Sequence, residues 1–457
     1  MKAHLRYFWD TLRNSYWFVP ALMAITAAAL AVGMIALDEA IGYDMIETAR
    51  WIYTGGPEGA RAVLSTVAGS MITVAGVAFS ITIVALALAS AQFGPRLLSN
   101  FMRDKGNQVV LGTFVSTFLY SLLVLRTIRT EEDGGAYVPY IAVTVSIVLA
   151  IASLGVLIYF IHHASISIQA PHLIATVADE LHDGINELFP EEVGHGPWPG
   201  QPSHASGLPD DFDAGARSVG AAASGYIDAV ALDTLMEIAT AHELLIRMEH
   251  RPGSYVVRGT PLALVWPPDS LDDAIESSIR GAFVTDYRRT PLQDVEFSIN
   301  QLVEVALRAL SPALNDPFTA IACIDHLASA LCRLAERRIP SPYRFDDNQR
   351  LRLVAKHPLT FAGVVGSAFN QIRQNASYHV SVLMRMMEAI EIVIECVPIE
   401  DLLTPLIEQA ELIRRAAADK VPDEHDRSDV DGRYDRLIRS AKARRRALAS
   451  PRAGQPM

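Results

Sequence analysis

No charged residue lies between Arg61 and Arg96. Coiled as a helix at about 1.5 Å per residue, that interval runs roughly 50 Å, against a membrane hydrocarbon core of about 30 Å. Its apolar body, AVLSTVAGSMITVAGVAFSITIVALALAS from Ala62 to Ser90, reads as a membrane span that projects beyond the bilayer until Gly94-Pro95 breaks it. One face is not greasy. Thr66, Ser70, Thr73, Gly76 (or Val77) and Ser80 recur at helical spacing, with Gly69 beside them. A stripe of small and hydroxylated residues lets helices approach closely in lipid and hydrogen-bond across the contact. Repeated around an axis, the same stripe would line a pore.

Three further spans follow from the same reasoning. Trp17 to Leu37 is apolar, too long for the h-region of a signal peptide, and stops at Asp38-Glu39 rather than at a small-residue cleavage site. Before it, Lys2, Arg6 and Arg13 stand among aromatic residues suited to the headgroup layer. A third span runs from Val109 to Leu125 and a fourth from Val138 to about Ile161. Basic residues gather in the N-terminal segment and in the second loop, whereas the first and third loops are acid-rich, Arg126 and Arg129 being exceptions. The positive-inside rule then places both termini in the cytoplasm. In that second loop, PRLLSNFMRDK sets Leu97, Leu98, Phe101 and Met102 on one helical face, opposite Arg96, Ser99, Asn100, Arg103 and Asp104, with Lys105 closing the segment. It reads as an interfacial helix with basic groups near anionic headgroups, or as a plain helical linker.

Composition narrows the partners. Half of the 457 residues are hydrophobic and they concentrate early, leaving room for a membrane domain and one or two soluble ones. Residues 1–165 hold ten Lys/Arg and ten Asp/Glu, and the last 36 residues hold nine basic and six acidic groups. The net charge of −12 is therefore concentrated as −15 over residues 166–421. Such a body repels phosphate backbones, so nucleic acid is not an expected partner; the lipid bilayer is one because of the apolar spans. Cys323, Cys332 and Cys396 show no Cys-x-x-Cys spacing and suit buried thiols in a reducing compartment.

Beyond His162-His163 a helix continues to about Leu188, after which Gly194 to Gly215 packs Gly, Pro and Ser too densely for regular structure. From Ser224, GYIDAVA reads as a strand, LDTLMEIATAHELL as a helix, and IRMEH, YVVRG and PLALVW as short strands. From Asp269 the pattern is helical again. Val295, Ile299, Leu302, Ala306 and Leu310 keep a helical period, and Glu304 pairs with Arg308 at i, i+4. Asp316 reads as an N-cap with Pro317 at the first helical position. Two or three more helices follow, to about Ala418, and the tail alternates acid with base as a partly disordered segment would.

Four stretches together carry a family likeness: VAFSITIVALALASAQFGPRLLSNFMRD, NQVVLGTFVSTFLYSLLVL, RPGSYVVRGTPLALVWP and RTPLQDVEFSINQLVEVALRALSPALNDPFTA. They resemble a bacterial family of predicted membrane proteins, domain of unknown function 2254. The likeness covers nearly the whole chain except the linker near Gly194 and the tail. Gln92 to Arg96 and Ala309 to Pro317 are its most specific runs. The resemblance implies a membrane location and a C-terminal soluble region, and it brings no catalytic or ligand residues.

Several groups carry potential chemistry. Arg251 to Leu262 is similar to half of a lipoyl-type barrel, with Gly253 and Gly259 at the φ > 0 turns. No lysine occurs between Lys105 and Lys356, so a structural β-module is expected rather than a carrier. His162, His163, His172 and His182 crowd the stalk with Asp179, Glu180 and Asp183; a solvated helix face explains them better than a metal site or a pH-responsive histidine cluster, since no metal-ligand signature is present. Arg288, Arg289, Asp294, Glu296, Asn300, Gln301, Glu304, Asn315 and Asp316 form the densest polar set of the soluble region. They suit an acid–base site or, more plainly, a structural polar network. In the third span Thr113, Ser116, Thr117 and Tyr120 echo the stripe of the second, and Gly112 and Ser116 make a small-xxx-small pair.

The expected protein is mainly α, with four transmembrane helices (1–165), a helical stalk (166–193), a Gly/Pro-rich linker (194–223), a small α/β module (224–268), a helical cytoplasmic domain (269–420) and a charged tail (421–457). No cofactor, metal or catalytic residue is assigned. A homo-oligomeric channel-, transporter- or sensor-like protein of the bacterial inner membrane is the leading expectation, ahead of a membrane-tethered enzyme using Asp294 to Asp316 and of a scaffold.

Overall fold

A computed structural model describes residues 15–41, 53–94, 104–130, 136–167, 169–188, 208–337 and 339–449. The basic N-terminal segment, the loop with Arg96 and Arg103, the acidic residues 131–133 and the Gly/Pro-rich stretch up to residue 207 lie outside the described residues. The chain divides into two compact units, Met1–His172 and Leu173–Met457.

Among the described residues the first unit contains four helices: α1 (Phe18–Ile41), α2 (Pro57–Phe93), α3 (Lys105–Leu125) and α4 (Tyr140–Ser167). α3 packs against the other three. Gly112 explains its closeness to α1, because a Cβ there would sit 2.5 Å from the Met23 sulfur and 3.3 Å from the Pro20 Cα. Toward α4, the buried Tyr120 hydroxyl donates to the Ala142 carbonyl at 3.0 Å. Hydroxyl pairs join Thr117 to Ser153 at 3.1 Å and Ser121 to Ser146 at 2.8 Å. Carboxylates close both ends of the bundle. Asp38 in α1 accepts from the Ile141 and Ala142 amides, 2.9 Å each, at the positive N-terminus of α4. Asp104 accepts from the Gly106 amide at 2.8 Å as the cap of α3 and binds His163 Nε2 of α4 at 2.6 Å.

The second unit joins a helical bundle to a small α/β module. Its helices are α5 (Ala170–Leu188, in this unit from Leu173), the one-turn α6 (Phe212–Gly215), α7 (Leu232–Ala241), α8 (Asp273–Gly281), α9 (Val295–Ala309), α10 (Pro317–Ala335), α11 (Phe361–Asn375), α12 (Val380–Cys396), α13 (Leu403–Lys420) and α14 (Glu424–Ala449). The strands are β1 (Arg217–Gly220), β2 (Gly225–Val230), β3 (Leu245–Met248), β4 (Tyr255–Val256), β5 (Pro261–Trp266), β6 (Phe283–Asp286), β7 (Tyr343–Phe345) and β8 (Leu351–Ala355). They form a five-stranded sheet, β1-β5-β3-β8-β7, and a three-stranded sheet, β4-β2-β6.

The strands expected from Ser224 to Trp266 are present, and Gly253 and Gly259 take φ of +85° and +86°. A Cβ on Gly253 would also fall 2.1 Å from Asp294 Oδ2, so that turn needs glycine twice over. Elsewhere the structure departs from the expectation. β1 lies in the stretch read as linker, and β6, β7 and β8 lie in the region read as wholly helical from Asp269. These strands run from three to five residues, too short to show a period, and β8 finds its parallel partner β3 far away in the chain. The tail is a helix as far as Ala449: Val430, Leu437 and Ala441 are buried, and α14 packs on α12 and α13. Its one apolar seam is hidden in composition by the charged residues around it.

Among the described residues, five helices are long and apolar enough to cross a membrane, α1 to α4 and α10. The chain is mostly helical with a small sheet content.

Candidate functional site

The α2 stripe faces away from its own bundle. The buried face of α2 is Ala60, Leu64, Ala68, Ala75 and Ala78, whereas Thr66, Ser70, Thr73, Gly76 and Ser80 are all exposed. At 3.6 residues per turn the two sets lie on opposite sides of the helix. Thr66, Thr73 and Ser80 donate to the carbonyls of Ala62, Gly69 and Gly76 at 2.7, 2.8 and 2.8 Å. These three hydroxyls are thus satisfied by their own helix, and exposure to lipid leaves none of them unmet. Around Gly69 and Gly76 nothing lies within 4 Å of where a Cβ would stand.

The corresponding residues of α3 are used inside the unit. Gly112 admits α1, and Thr117, Tyr120 and Ser121 bond to α4. Ser116 Oγ is buried with no hydrogen-bond partner among the described residues. Of the loop cations, only Lys105 is described, as the first residue of α3.

The polar set of the second unit separates into local roles. Asp294 is buried and pairs with Arg289 at 2.5 Å, and Glu296 pairs with Arg251 at 2.5 Å. Glu304 faces Arg308 at 3.5 Å on the same helix. Asn315 takes φ of +48° in the turn before α10. Asp316 caps α10, accepting from the Phe318 and Thr319 amides at 3.2 and 3.1 Å and from the Thr319 hydroxyl at 2.6 Å. That Thr319 bond leads the contacts that hold its carboxyl below the ordinary range. The stalk residues Asp179, His182 and Asp183 line an open groove with Ser329, Cys332 and Arg333. Among the described residues no group of three or more His, Cys, Asp or Glu is placed to hold a metal ion.

A cavity of about 280 Å³ lies within the second unit, against one face of the five-stranded sheet. Register builds its floor. Leu353 pairs with Ile246 on one side and with Arg344 on the other, and Ala355 pairs with Met248. Arg344, Leu353, Met248 and Ala355 therefore share a face of the sheet and all line the cavity. Val230, Val295, Ile339 and Leu359 add apolar wall, and His250, Arg251, Asp294, Lys356 and His357 add polar groups. Lys356 pairs with Glu249, which also accepts from Arg247 at 2.8 Å. Against the opposing effect of burial, those two cations hold the Glu249 carboxyl below its ordinary value. Burial, with help from His357 and Lys356, pushes the His250 imidazole down. Sequence reasoning reached Asp294 and Arg251 but missed Arg344, His250 and Lys356. Arg344 sits in a three-residue strand with no periodic signal, and Pro340, Pro342, Pro358 and the Asp346-Asp347-Asn348 turn punctuate the chain around it.

No solved structure matches this chain. An uncharacterized protein of Mycobacterium tuberculosis and one of Mycobacterium bovis are each 34% identical to it over 430 residues, covering 93% of this chain and 80% of theirs. The α1 to α4 bundle, with its apolar outer surface, agrees with the description of the family whose model matches residues 13–391, "Predicted membrane protein (DUF2254)", and the chain belongs to that family.

Proposed function

We propose that the protein is a four-span protein of the bacterial inner membrane whose copies meet through α2 to form a channel- or sensor-like homo-oligomer. The observation that carries this reading is the outward direction of the Thr66, Ser70, Thr73, Gly76 and Ser80 stripe. The hydroxyls of α3 and α4 already hold one bundle together. A polar path or a close helix contact beyond the single copy would then use α2, where Gly69 and Gly76 leave open space for an approaching helix.

The count of four rests on the charge that α10 carries in mid-helix. Half of the apolar window of α10 is covered within the second unit, and its Asp325 pairs with Arg385 at 2.5 Å. A lipid-facing span would not carry such a pair outward. Both termini are assigned to the cytoplasm from the basic second loop and the acidic first and third loops. Phosphatase fusions at residues 55, 104, 134 and 300 test that assignment: activity is expected at the first and third sites, and activity at the second or fourth reverses it.

Cysteines placed singly at Thr66, Ser70, Thr73 and Ser80, in a chain lacking its native thiols, test the oligomer. Oxidative cross-linking between copies is expected along the stripe and not at Leu64 or Ala75 on the buried face. Labelling of the same positions by a water-soluble thiol reagent separates a channel from a scaffold. Absence of cross-links at every stripe position would sink the assembly through α2.

A further inference from the structure

We propose that the cavity against β7 and β8 is a binding site for a small organic anion, a carboxylate or phosphate monoester on an apolar body, held by Arg344. This inference does not rest on the oligomeric reading, because every wall residue belongs to the second unit of one copy.

Charge matching in the wall carries the argument. Arg251 is met by Glu296, Asp294 by Arg289, and Lys356 by Glu249. Arg344 is the exception: among the described residues its side chain has neither an ion pair nor a hydrogen bond. The contrast with Arg352 on the neighbouring strand is direct. Arg352 is buried and its guanidinium donates to Asp346 at 2.7 Å, an acceptor two residues beyond Arg344 that is thereby taken. A half-buried guanidinium without a counter-charge is costly, and two oxygens of a carboxylate or phosphate are what its fork of donors fits. Burial alone pushes Arg344 below the ordinary arginine value, so the cost is present and unrelieved by any protein group.

The surroundings fix the rest of the ligand. Met248, Val295 and Leu359 present apolar surface beside the cation, which suits a hydrocarbon or aromatic body. At about 280 Å³ the space is near the lower end for small-molecule sites and too small for a macromolecular segment. Prolines at 252, 340, 342 and 358 stiffen the rim, so little ordering is required on binding.

The test uses full-length protein in phosphatidylcholine nanodiscs, titrated calorimetrically with phenyl phosphate, with inorganic phosphate and with uncharged benzyl alcohol. Phenyl phosphate should bind more tightly than either fragment. Arg344→Met should weaken it at least about tenfold, the scale of one lost charge-assisted contact, while Arg344→Lys loses less. Arg350→Met, at an exposed arginine paired with Glu243, should leave it unchanged. Ser341→Trp fills the cavity while keeping the arginine, and it should also abolish binding; it decides the matter if Arg344→Met does not fold. Displacement of the probe by short-chain phosphatidic acid would assign the anion to a lipid headgroup, and displacement by free monoesters alone to a solute. Equal affinity in wild type, Arg344→Met and Ser341→Trp, or no binding of phenyl phosphate at all, overturns the site.

Discussion

α2 and α3 look alike in sequence and do opposite things. Each carries hydroxyl and glycine residues at helical spacing, Thr66 to Ser80 in one and Gly112 to Ser121 in the other. In α3 that face is the seam of the bundle, closed on α1 by Gly112 and on α4 by three hydrogen bonds. In α2 the bundle contact is made by Ala60, Ala68, Ala75 and Ala78 instead, and the hydroxyl face turns outward. The difference shows that in lipid, where burying apolar surface drives little, close packing selects small side chains of either kind. Alanine marks an interface as well as serine does, and a helix with two small faces has two contacts to offer.

The largest test of this comparison is a pair of glycine substitutions. Gly112→Leu forces a side chain into the Met23 sulfur and Pro20 backbone, so unfolding in detergent should become easier by about 2 kcal/mol or more, the overpacking range. Gly76→Leu meets open space, and thermal stability of the isolated copy should change by no more than about 0.5 kcal/mol. Its effect should appear only as lost association. Equal destabilisation by the two would erase the distinction between an inward and an outward stripe.

A smaller effect is expected where helix ends differ. The N-terminus of α4 is capped from another helix by Asp38, whereas α2 begins at Gly56 with no side-chain cap. Asp38→Ala should cost about 1 to 2 kcal/mol by leaving two amides without their acceptor. Asp38→Asn should recover part of that, since an amide oxygen can still accept one bond. A chemical-denaturation series on the bundle reads both, and a neutral Asp38→Ala would remove the carboxylate's structural role.

Much of this was legible in the sequence, for identifiable reasons. Long apolar runs are set by bilayer thickness, so the four helices of the first unit stand out without any neighbour being known. The φ > 0 glycines at 253 and 259 and the cap at Asp316 are local, and local chemistry reads directly. The short strands β6 to β8 and the Arg344 cavity are not local. β8 exists because it adds beside β3, and Arg344 enters the cavity because its partner in register is Leu353. The direction of the α2 stripe failed to read for a related reason: spacing defines a face, and only the neighbouring helix decides whether that face is inside.

The smallest expected effect is also the most discriminating. Ser121→Ala removes one member of a buried hydroxyl pair and strands Ser146, at a cost of about 0.6 to 1 kcal/mol, the measured scale of such bonds in membranes. Thr73→Val changes less still. The Thr73 hydroxyl donates to the Gly69 carbonyl of its own helix, and valine keeps the shape while freeing a carbonyl that already has a backbone partner. Folding stability should shift by no more than about 0.5 kcal/mol, whichever surface the residue faces. The readouts that differ are functional. If α2 packs against a second copy, Thr73→Val should leave cross-linking at Thr66 and Ser80 intact, because the contact depends on size. If α2 lines water, the same change should lower thiol-reagent access at the flanking stripe positions, because an apolar ring favours dewetting. Intact cross-linking with unchanged access would place the stripe in a dry interface, and the channel part of the proposal would then give way to a sensor or scaffold built on the same contact.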